Sequence, residues 1–166
     1  FRYPCGNGTG VALPERGEIL EVGKGRIIKE GNDVAILSFG AHLSEAEQAV
    51  QQLERQGVTV TLADARFAKP LDTDLIRQLA HNHEALITIE QGSVGGFGAM
   101  VLHHLAATGQ LDRGFKIRTM TLPDVYIDQA SPSEMYAAAG LTVQDIERTA
   151  LNLVRPAHNI VNLSQA

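Results

Sequence analysis

Short apolar segments alternate with amphipathic ones along most of this 166-residue chain. Val34–Phe39 is a nearly continuous apolar run, which is typical of a strand covered on both faces. Ala46, Ala49, Val50 and Leu53 then repeat at the spacing of one helix face. Because each crossover helix returns the chain in the same direction, this alternation predicts an α/β fold whose strands are mostly parallel.

The same patterns place the other elements. We expect strands at residues 26–29, 58–62, 85–89 and 117–122, and helices beginning near residues 44, 72, 100, 132 and 142. The helix starts follow from capping patterns, in which a short polar side chain accepts a hydrogen bond from a free backbone N–H. These patterns are Ser44 with Glu47, Asp72 alone, Ser131 with Pro132 and Glu134, and Thr142 alone.

The two ends of the chain lack this alternation. Glycines and prolines break up residues 1–23, so we interpret this stretch as a connector entering one domain at residues 24–155. Residues 156–166 have no pattern and are expected to form a loose tail. The chain starts at Phe1 and shows no signal-peptide pattern, so we expect it to be part of something longer.

Composition excludes several classes of function. A net charge of −5 argues against a nucleic-acid partner, which would need a basic surface. No apolar run approaches the roughly 18 residues of a membrane span. The single cysteine, Cys5, excludes an internal disulfide and fits a reducing compartment.

In parallel sheets, ligands bind beyond the carboxyl ends of the strands, so a binding or catalytic site is expected in the loops there. In the loop at residues 64–72, Arg66 and Lys69 could bind a phosphate or carboxylate. Asp64 and Asp72 can neutralise them, and a structural loop before a capped helix is favoured. In the loop after the last strand, the separation of Asp124 and Asp128 is not fixed, and a surface loop is favoured.

A glycine-rich segment at residues 92–98 connects a strand to a helix and contains Gly92, Gly95, Gly96 and Gly98. Their spacing matches neither G-x-G-x-x-G nor the P-loop. Glu90 would also place a negative charge beside any bound phosphate. A tight turn, or close packing against another domain or subunit, is the favoured interpretation.

The remaining polar residues predict no metal site and no complete catalytic site. His81 with His83, and His103 with His104, lack the i, i+4 spacing that brings two imidazoles to one metal ion. These histidines are expected to be solvated or at the boundary of the core. Cys5 has no fixed base beside it, and is expected to be a spectator thiol.

Three segments, at residues 60–72, 90–102 and 122–132, resemble the C-terminal third of the 1-deoxy-D-xylulose-5-phosphate synthases. The similarity runs almost continuously from Phe1 to about Val154, and the stretch Asp-Ala-Arg-Phe-Ala-Lys-Pro-Leu-Asp at residues 64–72 is its most specific part. The resemblance implies a three-layer α/β/α domain like the transketolase C-terminal domain. Its five-stranded sheet is mostly parallel with an antiparallel first strand, to which residues 26–29 correspond.

That resemblance also implies a function. Enzymes of this family use thiamine diphosphate and Mg²⁺ to condense pyruvate with glyceraldehyde 3-phosphate, forming 1-deoxy-D-xylulose 5-phosphate and CO₂ for isoprenoid, thiamine and pyridoxal synthesis. Their cofactor motifs lie in earlier domains, so this chain alone is expected to bind no cofactor and to be inactive. Its implied roles are packing on those N-terminal domains and homodimer assembly, with residues 92–98 and the following helix as the predicted contact. The implied location is the cytoplasm in bacteria, or the plastid in a plant or alga.

One departure from the family affects substrate binding. The family connector reads Arg-Tyr-Pro-Arg-Gly, and its second arginine helps to bind the sugar phosphate, whereas this chain has Cys5 there. A thiol cannot supply a charged, two-pronged contact, so the phosphate-binding residue is left unassigned, although Arg2 lies nearby. Gln129 stands where many relatives have His and others have Gln.

Two alternatives stay open at this point. The chain could be the equivalent domain of another thiamine-diphosphate enzyme, such as transketolase or a 2-oxoacid dehydrogenase β subunit. It could also be a free-standing, non-enzymatic module for dimerisation or ligand binding. The connector at the N-terminus favours a domain of a larger enzyme.

Overall fold

A computed structural model describes Gly10, Ala12 and residues 14–154. Five strands form one sheet in the order β1-β3-β2-β4-β5. The strands are β1 Arg26–Lys29, β2 Val34–Phe39, β3 Val60–Asp64, β4 Ala85–Ser93 and β5 Lys116–Leu122. A short 3₁₀ turn, Gly40–His42, precedes the five helices, which are α1 Leu43–Arg55, α2 Thr73–Asn82, α3 Phe97–Ala107, α4 Pro132–Ala139 and α5 Val143–Val154.

Only β1 runs against its neighbour within this sheet. It pairs antiparallel with β3, and the pairs β2–β3, β2–β4 and β4–β5 are all parallel. The predicted fold class, a mostly parallel α/β sheet with one antiparallel strand, is therefore confirmed.

Helices cover both faces of the sheet, because β2 at its centre is apolar on both sides. Ile36 packs with residues of α1 and α5 in one core cluster. Ala35 and Leu37 point to the opposite face and pack with residues of α2 and α3 in the other. The α1 stripe predicted from helical spacing (Ala46, Ala49, Val50 and Leu53) is buried. The result is the three-layer arrangement expected.

Several helix ends follow the predicted caps. Asp72 caps α2 by accepting a hydrogen bond of 3.0 Å from the Leu75 N–H. Ser131 and Glu134 form a reciprocal capping box at the start of α4, with Pro132 in the first turn. Thr142 accepts a hydrogen bond of 3.2 Å from the Asp145 N–H at the start of α5.

The predicted cap of α1 is wrong. The 3₁₀ turn Gly40–His42 runs directly into α1, so the helix begins at Leu43 and Ser44 is already inside it. The Ser44 hydroxyl instead donates to the carboxylate of Glu45 at 2.8 Å. A residue with helical neighbours on both sides cannot act as an N-cap, which needs extended backbone.

Three element boundaries also differ from the prediction. β3 begins at Val60 instead of residue 58 and extends to Asp64. β4 continues to Ser93, so Gly92 belongs to the strand, and α3 begins at Phe97. Within the part of the chain that the structure describes, no helix is long and apolar enough to cross a membrane. The expected tail at residues 156–166 and most of the first half of the connector lie outside the described residues, and the domain boundaries stay a prediction.

Candidate functional site

The carboxyl ends of the four parallel strands lie at one edge of the sheet, where α/β proteins bind their ligands. Four segments leave this edge: the 3₁₀ turn after β2, residues 65–72 after β3, the glycine-rich turn after β4, and residues 123–131 after β5. This edge is the candidate site, since it contains most of the residues that the sequence singled out.

The loop after β3 is organised by the carboxylate of Asp64. Arg26 donates to it from Nε at 3.2 Å, and the Nε of Arg66 lies 3.9 Å away. The backbone N–H of Arg66 also donates to Asp64 at 3.1 Å. Arg66 has a φ of 56°, a conformation that is uncommon outside glycine, and this hydrogen bond stabilises it. The prediction for this loop is correct for Arg66, whose charge is offset by Asp64. It is wrong for Asp72, which pairs with Lys24, while Lys69 is exposed.

Asp72 closes the same loop by joining two segments. One carboxylate oxygen caps α2, and the other accepts a hydrogen bond of 3.0 Å from the Gly25 N–H, just before β1. Lys24 lies 3.8 Å from this carboxylate. The side chain of Asp72 is only 9% exposed, so both hydrogen bonds are shielded from water. Asp72 therefore fixes the position of β1 as well as the start of α2.

The glycine-rich turn after β4 folds around Glu90. This side chain is 4% exposed and accepts a hydrogen bond of 2.8 Å from the Gly98 N–H. A Cβ at Gly92 would lie 2.2 Å from the Glu90 carboxylate, and a Cβ at Gly96 would lie 2.6 Å from it. Only glycine fits at either position without moving the carboxylate. Gly95 has a φ of +94°, which glycine also adopts most readily.

The position of the Glu90 carboxylate limits which ligands the start of α3 can bind. The first N–H groups of a helix attract anions, and here the Glu90 carboxylate already lies on one of them. A phosphate at the same place would meet a negative charge. The turn is therefore built around an internal carboxylate, and a contact of Gly92, Gly95, Gly96 and Gly98 with a second subunit stays a prediction.

Sequence reasoning missed a buried cluster beside this edge. His42 is fully buried, donates from Nε2 to the Leu141 carbonyl at 3.2 Å, and meets the Tyr136 ring edge-on at a centroid distance of 4.6 Å. The Tyr136 hydroxyl accepts a hydrogen bond from the Gln91 amide. Through these contacts the cluster attaches α4, which has no buried residue of its own.

The burial of this cluster changes its protonation behaviour. Burial lowers the pKa of His42, an effect that the nearby Glu45 carboxylate and the hydrogen bond to Leu141 partly oppose. Burial also raises the pKa of Tyr136, and the charge of Glu45 adds to that effect. Both side chains are therefore held in their neutral forms.

The predicted locations of the histidines are correct in part. His81 and His103 are exposed and His104 is partly exposed, as expected. His83 is buried, so its prediction is wrong. Its Nδ1 donates to the Leu79 carbonyl at 2.9 Å, and its Nε2 lies 2.8 Å from the Thr61 hydroxyl. These partners satisfy both ring nitrogens, which is how a polar side chain is accommodated in a core.

The other predicted candidates do not combine into a site. Asp124 and Asp128 are both exposed on the loop after β5. Within residues 14–154, with Gly10 and Ala12, no three His, Cys, Asp or Glu side chains are placed to hold a metal ion. Cys5 and Arg2 lie outside the described residues.

Comparison with known proteins identifies the family. Residues 23–146 match the family described as "Transketolase, C-terminal domain". The chain belongs to this family. A solved structure titled "Split gene transketolase, inactive beta4 tetramer" superposes with a TM-score of 0.72 at 29% identity, covering 82% of this chain and 45% of that one.

This transketolase C-terminal domain also has close relatives among curated proteins. It is 64% identical over 160 residues to the 1-deoxy-D-xylulose-5-phosphate synthase of Rhodobacter capsulatus, covering 96% of this chain. It is 67% identical over 151 residues to 1-deoxy-D-xylulose-5-phosphate synthase 2 of Jannaschia sp. (strain CCS1), covering 91% of this chain. The resemblance to these synthases is therefore confirmed. The chain spans about a quarter of the length of both relatives, 25% and 24%.

Proposed function

We propose that this transketolase C-terminal domain works as part of a 1-deoxy-D-xylulose-5-phosphate synthase. The enzyme would condense pyruvate with glyceraldehyde 3-phosphate to give 1-deoxy-D-xylulose 5-phosphate and CO₂. The sugar phosphate would be a precursor for isoprenoid, thiamine and pyridoxal synthesis. The observation that carries this proposal is 64% identity to such a synthase over 96% of the chain. Its site of action would be the cytoplasm of a bacterium, or the plastid of a plant or alga.

Such enzymes work with thiamine diphosphate and Mg²⁺, and the residues of this domain do not fit those groups. Across the described ranges, no cluster of acidic or histidine side chains is suited to a metal ion. The start of α3, which could otherwise attract a diphosphate, carries the Glu90 carboxylate. We therefore place cofactor binding in the rest of the longer polypeptide, and derive no chemical step from the residues of this domain.

The proposed contribution of this domain is assembly. Three large side chains near the candidate site edge are exposed: Val94 at 68%, Val125 at 68% and Tyr126 at 92%. Val94 lies just after β4, and Val125 and Tyr126 lie after the neighbouring parallel strand β5, so all three are at the same edge of the sheet. Exposed apolar side chains grouped in this way are typical of protein contacts. We propose that they pack against the preceding domains of the enzyme, and that two copies of the whole enzyme form a homodimer.

A chimaera tests the function. The last quarter of the Rhodobacter capsulatus synthase is replaced by this chain, and the product of pyruvate and glyceraldehyde 3-phosphate is measured. We expect an active enzyme. The matched control replaces the same quarter with the corresponding segment of the Jannaschia synthase 2, which shows whether the junction itself is tolerated.

Two outcomes would contradict the proposal. One is a folded but inactive chimaera when the control chimaera is active. The other is a longer polypeptide containing this domain that uses transketolase sugar-phosphate donors, or supports 2-oxoacid dehydrogenation, in place of the synthase reaction. A further check is calorimetry of the isolated chain with thiamine diphosphate and Mg²⁺, for which we expect no binding in the micromolar range. Mg²⁺-dependent binding would refute the placement of the cofactor site elsewhere.

A further inference from the structure

α4 is the least buried of the described helices. None of its residues is buried, whereas each of the other four helices buries at least three. Among the described residues, hydrogen bonds join the segment 123–141 to the rest of the domain at two points. Gln91 donates to the Tyr136 hydroxyl, and His42 donates to the Leu141 carbonyl. Because the His42 ring also contacts the Tyr136 ring, one side chain makes two of the contacts that hold α4.

The hydrogen bonds of His42 identify where an added proton would go. Its Nε2 carries a proton, since it donates to the Leu141 carbonyl at 3.2 Å, so the lone pair of the neutral ring is on Nδ1. Nδ1 is buried and has no hydrogen-bonding partner in the part of the chain that the structure describes. A proton added there would create an unpaired donor and a positive charge inside the protein, and both cost free energy.

Glu45 of α1 compensates this charge only in part. Its carboxylate attracts a proton to His42, but it is partly exposed to solvent, which screens the attraction. Burial is the larger effect, and it keeps the pKa of His42 below its ordinary value.

Among the described residues, the other elements near His42 supply no further compensating charge. Tyr136 of α4 keeps its proton, because burial raises its pKa, and Gln91 of β4 is a neutral amide. Glu90 of β4 points to the other side of the sheet, against α3. Asp145 of α5 is engaged by an ion pair within its own helix.

This geometry links the position of α4 to pH. If the segment 123–141 moves away, the His42 ring enters water and its pKa returns to about 6.5. Below that pH the open form binds a proton that the closed form does not, so acid favours opening. Between pH 7.5 and pH 5.5 the equilibrium constant for opening can rise by at most about tenfold from this one group.

We propose that His42 makes the attachment of residues 123–141 sensitive to acid: protonation at Nδ1 releases α4 and the loop after β5, while the sheet and α1 stay folded. The released segment includes Val125 and Tyr126, two of the exposed side chains proposed above to pack against the preceding domains. Acid would therefore weaken that packing. This consequence rests on the proposed function, whereas the release itself is a property of this chain.

Hydrogen–deuterium exchange of the whole chain at pH 7.5 and pH 5.5, read by mass spectrometry, tests the release. Dividing each rate by that of the unfolded chain at the same pH gives a protection factor. We expect the protection of residues 132–141 to fall by about three- to tenfold on acidification. It should also stay below that of α5, and low urea should hardly change it, because local opening exposes less surface than global unfolding.

Substitutions of His42 isolate the imidazole. His42→Phe fills a similar space and cannot be protonated, so the acid-induced loss of protection at residues 132–141 should shrink to less than about twofold. His42→Gln, which is uncharged and keeps an N–H donor, replaces it if that variant fails to fold. His81→Gln is the matched control, since His81 is an exposed histidine, and it should keep the full acid dependence.

The proposal is overturned if the protection of residues 132–141 does not change with pH, or if it equals that of α5 at pH 5.5, since His42 would then be exposed only by global unfolding. Undiminished acid dependence in a folded His42 variant would also overturn it. Failure of the proposed function is a separate result. An inactive chimaera with acid-dependent release would refute the synthase activity alone, and an active chimaera without that release would refute the role of His42 alone.

Discussion

The carboxylate of Glu90 accepts a 2.8 Å hydrogen bond from the backbone N–H of Gly98, linking the end of β4 to the first turn of α3. The chain between these two residues must therefore turn tightly around a buried carboxylate. Gly92 and Gly96 leave space for it, and Gly95 supplies the left-handed backbone that the turn needs. This relationship explains why glycines cluster here without forming a nucleotide-binding pattern.

Gly96→Ala should destabilise the protein. The new Cβ would lie 2.6 Å and 2.8 Å from the two carboxylate oxygens of Glu90, so the carboxylate must move and its hydrogen bond to Gly98 is weakened. We expect the free energy of unfolding to fall by about 1–3 kcal/mol in denaturant titrations. Gly17→Ala is the control, because its Cβ meets nothing within 4 Å, and should change stability by less than about 0.5 kcal/mol. In a Glu90→Ala background the cost of Gly96→Ala should shrink, and strictly additive costs would contradict this explanation.

His42 should make stability depend on pH in a defined range. Its pKa is lowered in the folded protein, whereas in the unfolded chain it is about 6.5. Below pH 6.5 the unfolded state therefore binds a proton that the folded state does not, and stability falls until the folded pKa is reached. The free energy of unfolding should decrease between pH 7.5 and pH 5, and this decrease should be smaller in His42→Phe.

Chemical denaturation of both proteins across that range measures the difference. The other histidines are common to both proteins and cancel in the comparison. Glu134 and Asp145 have lowered pKa values, so their stabilising contributions are lost at more acidic pH than this range covers. Parallel pH profiles for the wild type and His42→Phe would show that His42 is not the group responsible.

Asp72→Ala should be more costly than most surface substitutions. It removes the cap of α2 and leaves the Gly25 N–H without its acceptor, two hydrogen bonds of 3.0 Å each. We expect a loss of about 2–4 kcal/mol in thermal or denaturant unfolding. Asp74→Ala is the neighbouring control, since Asp74 is 69% exposed and forms only surface ion pairs. It should cost less than about 1 kcal/mol. Equal losses for the two variants would argue against the bridging role of Asp72.

Cys5→Arg should strengthen binding of the phosphorylated acceptor in the proposed longer synthase. The resemblance to these synthases implies an arginine at this position, and a two-pronged, charge-assisted contact to phosphate contributes about 1.5–3 kcal/mol. Steady-state kinetics should show a KM for glyceraldehyde 3-phosphate that is lower by about tenfold or more. Cys5→Lys should give a smaller improvement, because an ammonium group lacks the two-pronged geometry. An unchanged KM in Cys5→Arg would refute this role for position 5.

Elements that depend on local sequence could be predicted. The apolar run of β2 and the capping residues Asp72, Ser131 and Glu134 lie within a few positions of the structure they determine. The antiparallel direction of β1 followed from the family resemblance, since four residues contain no information about their neighbours in the sheet. The pairing of Arg66 with Asp64 was also foreseen, because the two residues are close in sequence. The pairing of Asp72 with Lys24 was not, since Lys24 lies 48 residues earlier in the chain.

Features that depend on distant residues could not be predicted. His42 is buried because Leu141, which lies 99 residues further along, accepts its hydrogen bond. β4 extends past Gly92 because Ser93 pairs with Leu122 of β5, after a shift in register that begins at Ile89. Glycine inside a strand often marks such an irregularity. His83 owes its burial to Thr61 and Leu79 on two different elements. The local sequence around each of these positions contains no sign of its partner.

The central position of β2 has a consequence for synthesis on the ribosome. Both of its sheet neighbours, β3 and β4, come later in the chain, so the apolar strand Val34–Phe39 emerges before either can cover it. At ~5–20 residues per second, a newly made chain takes seconds to reach the end of β4. During that interval β2 is an unpaired, aggregation-prone segment. Translation speed between β2 and β4 therefore determines how long the nascent chain must be protected.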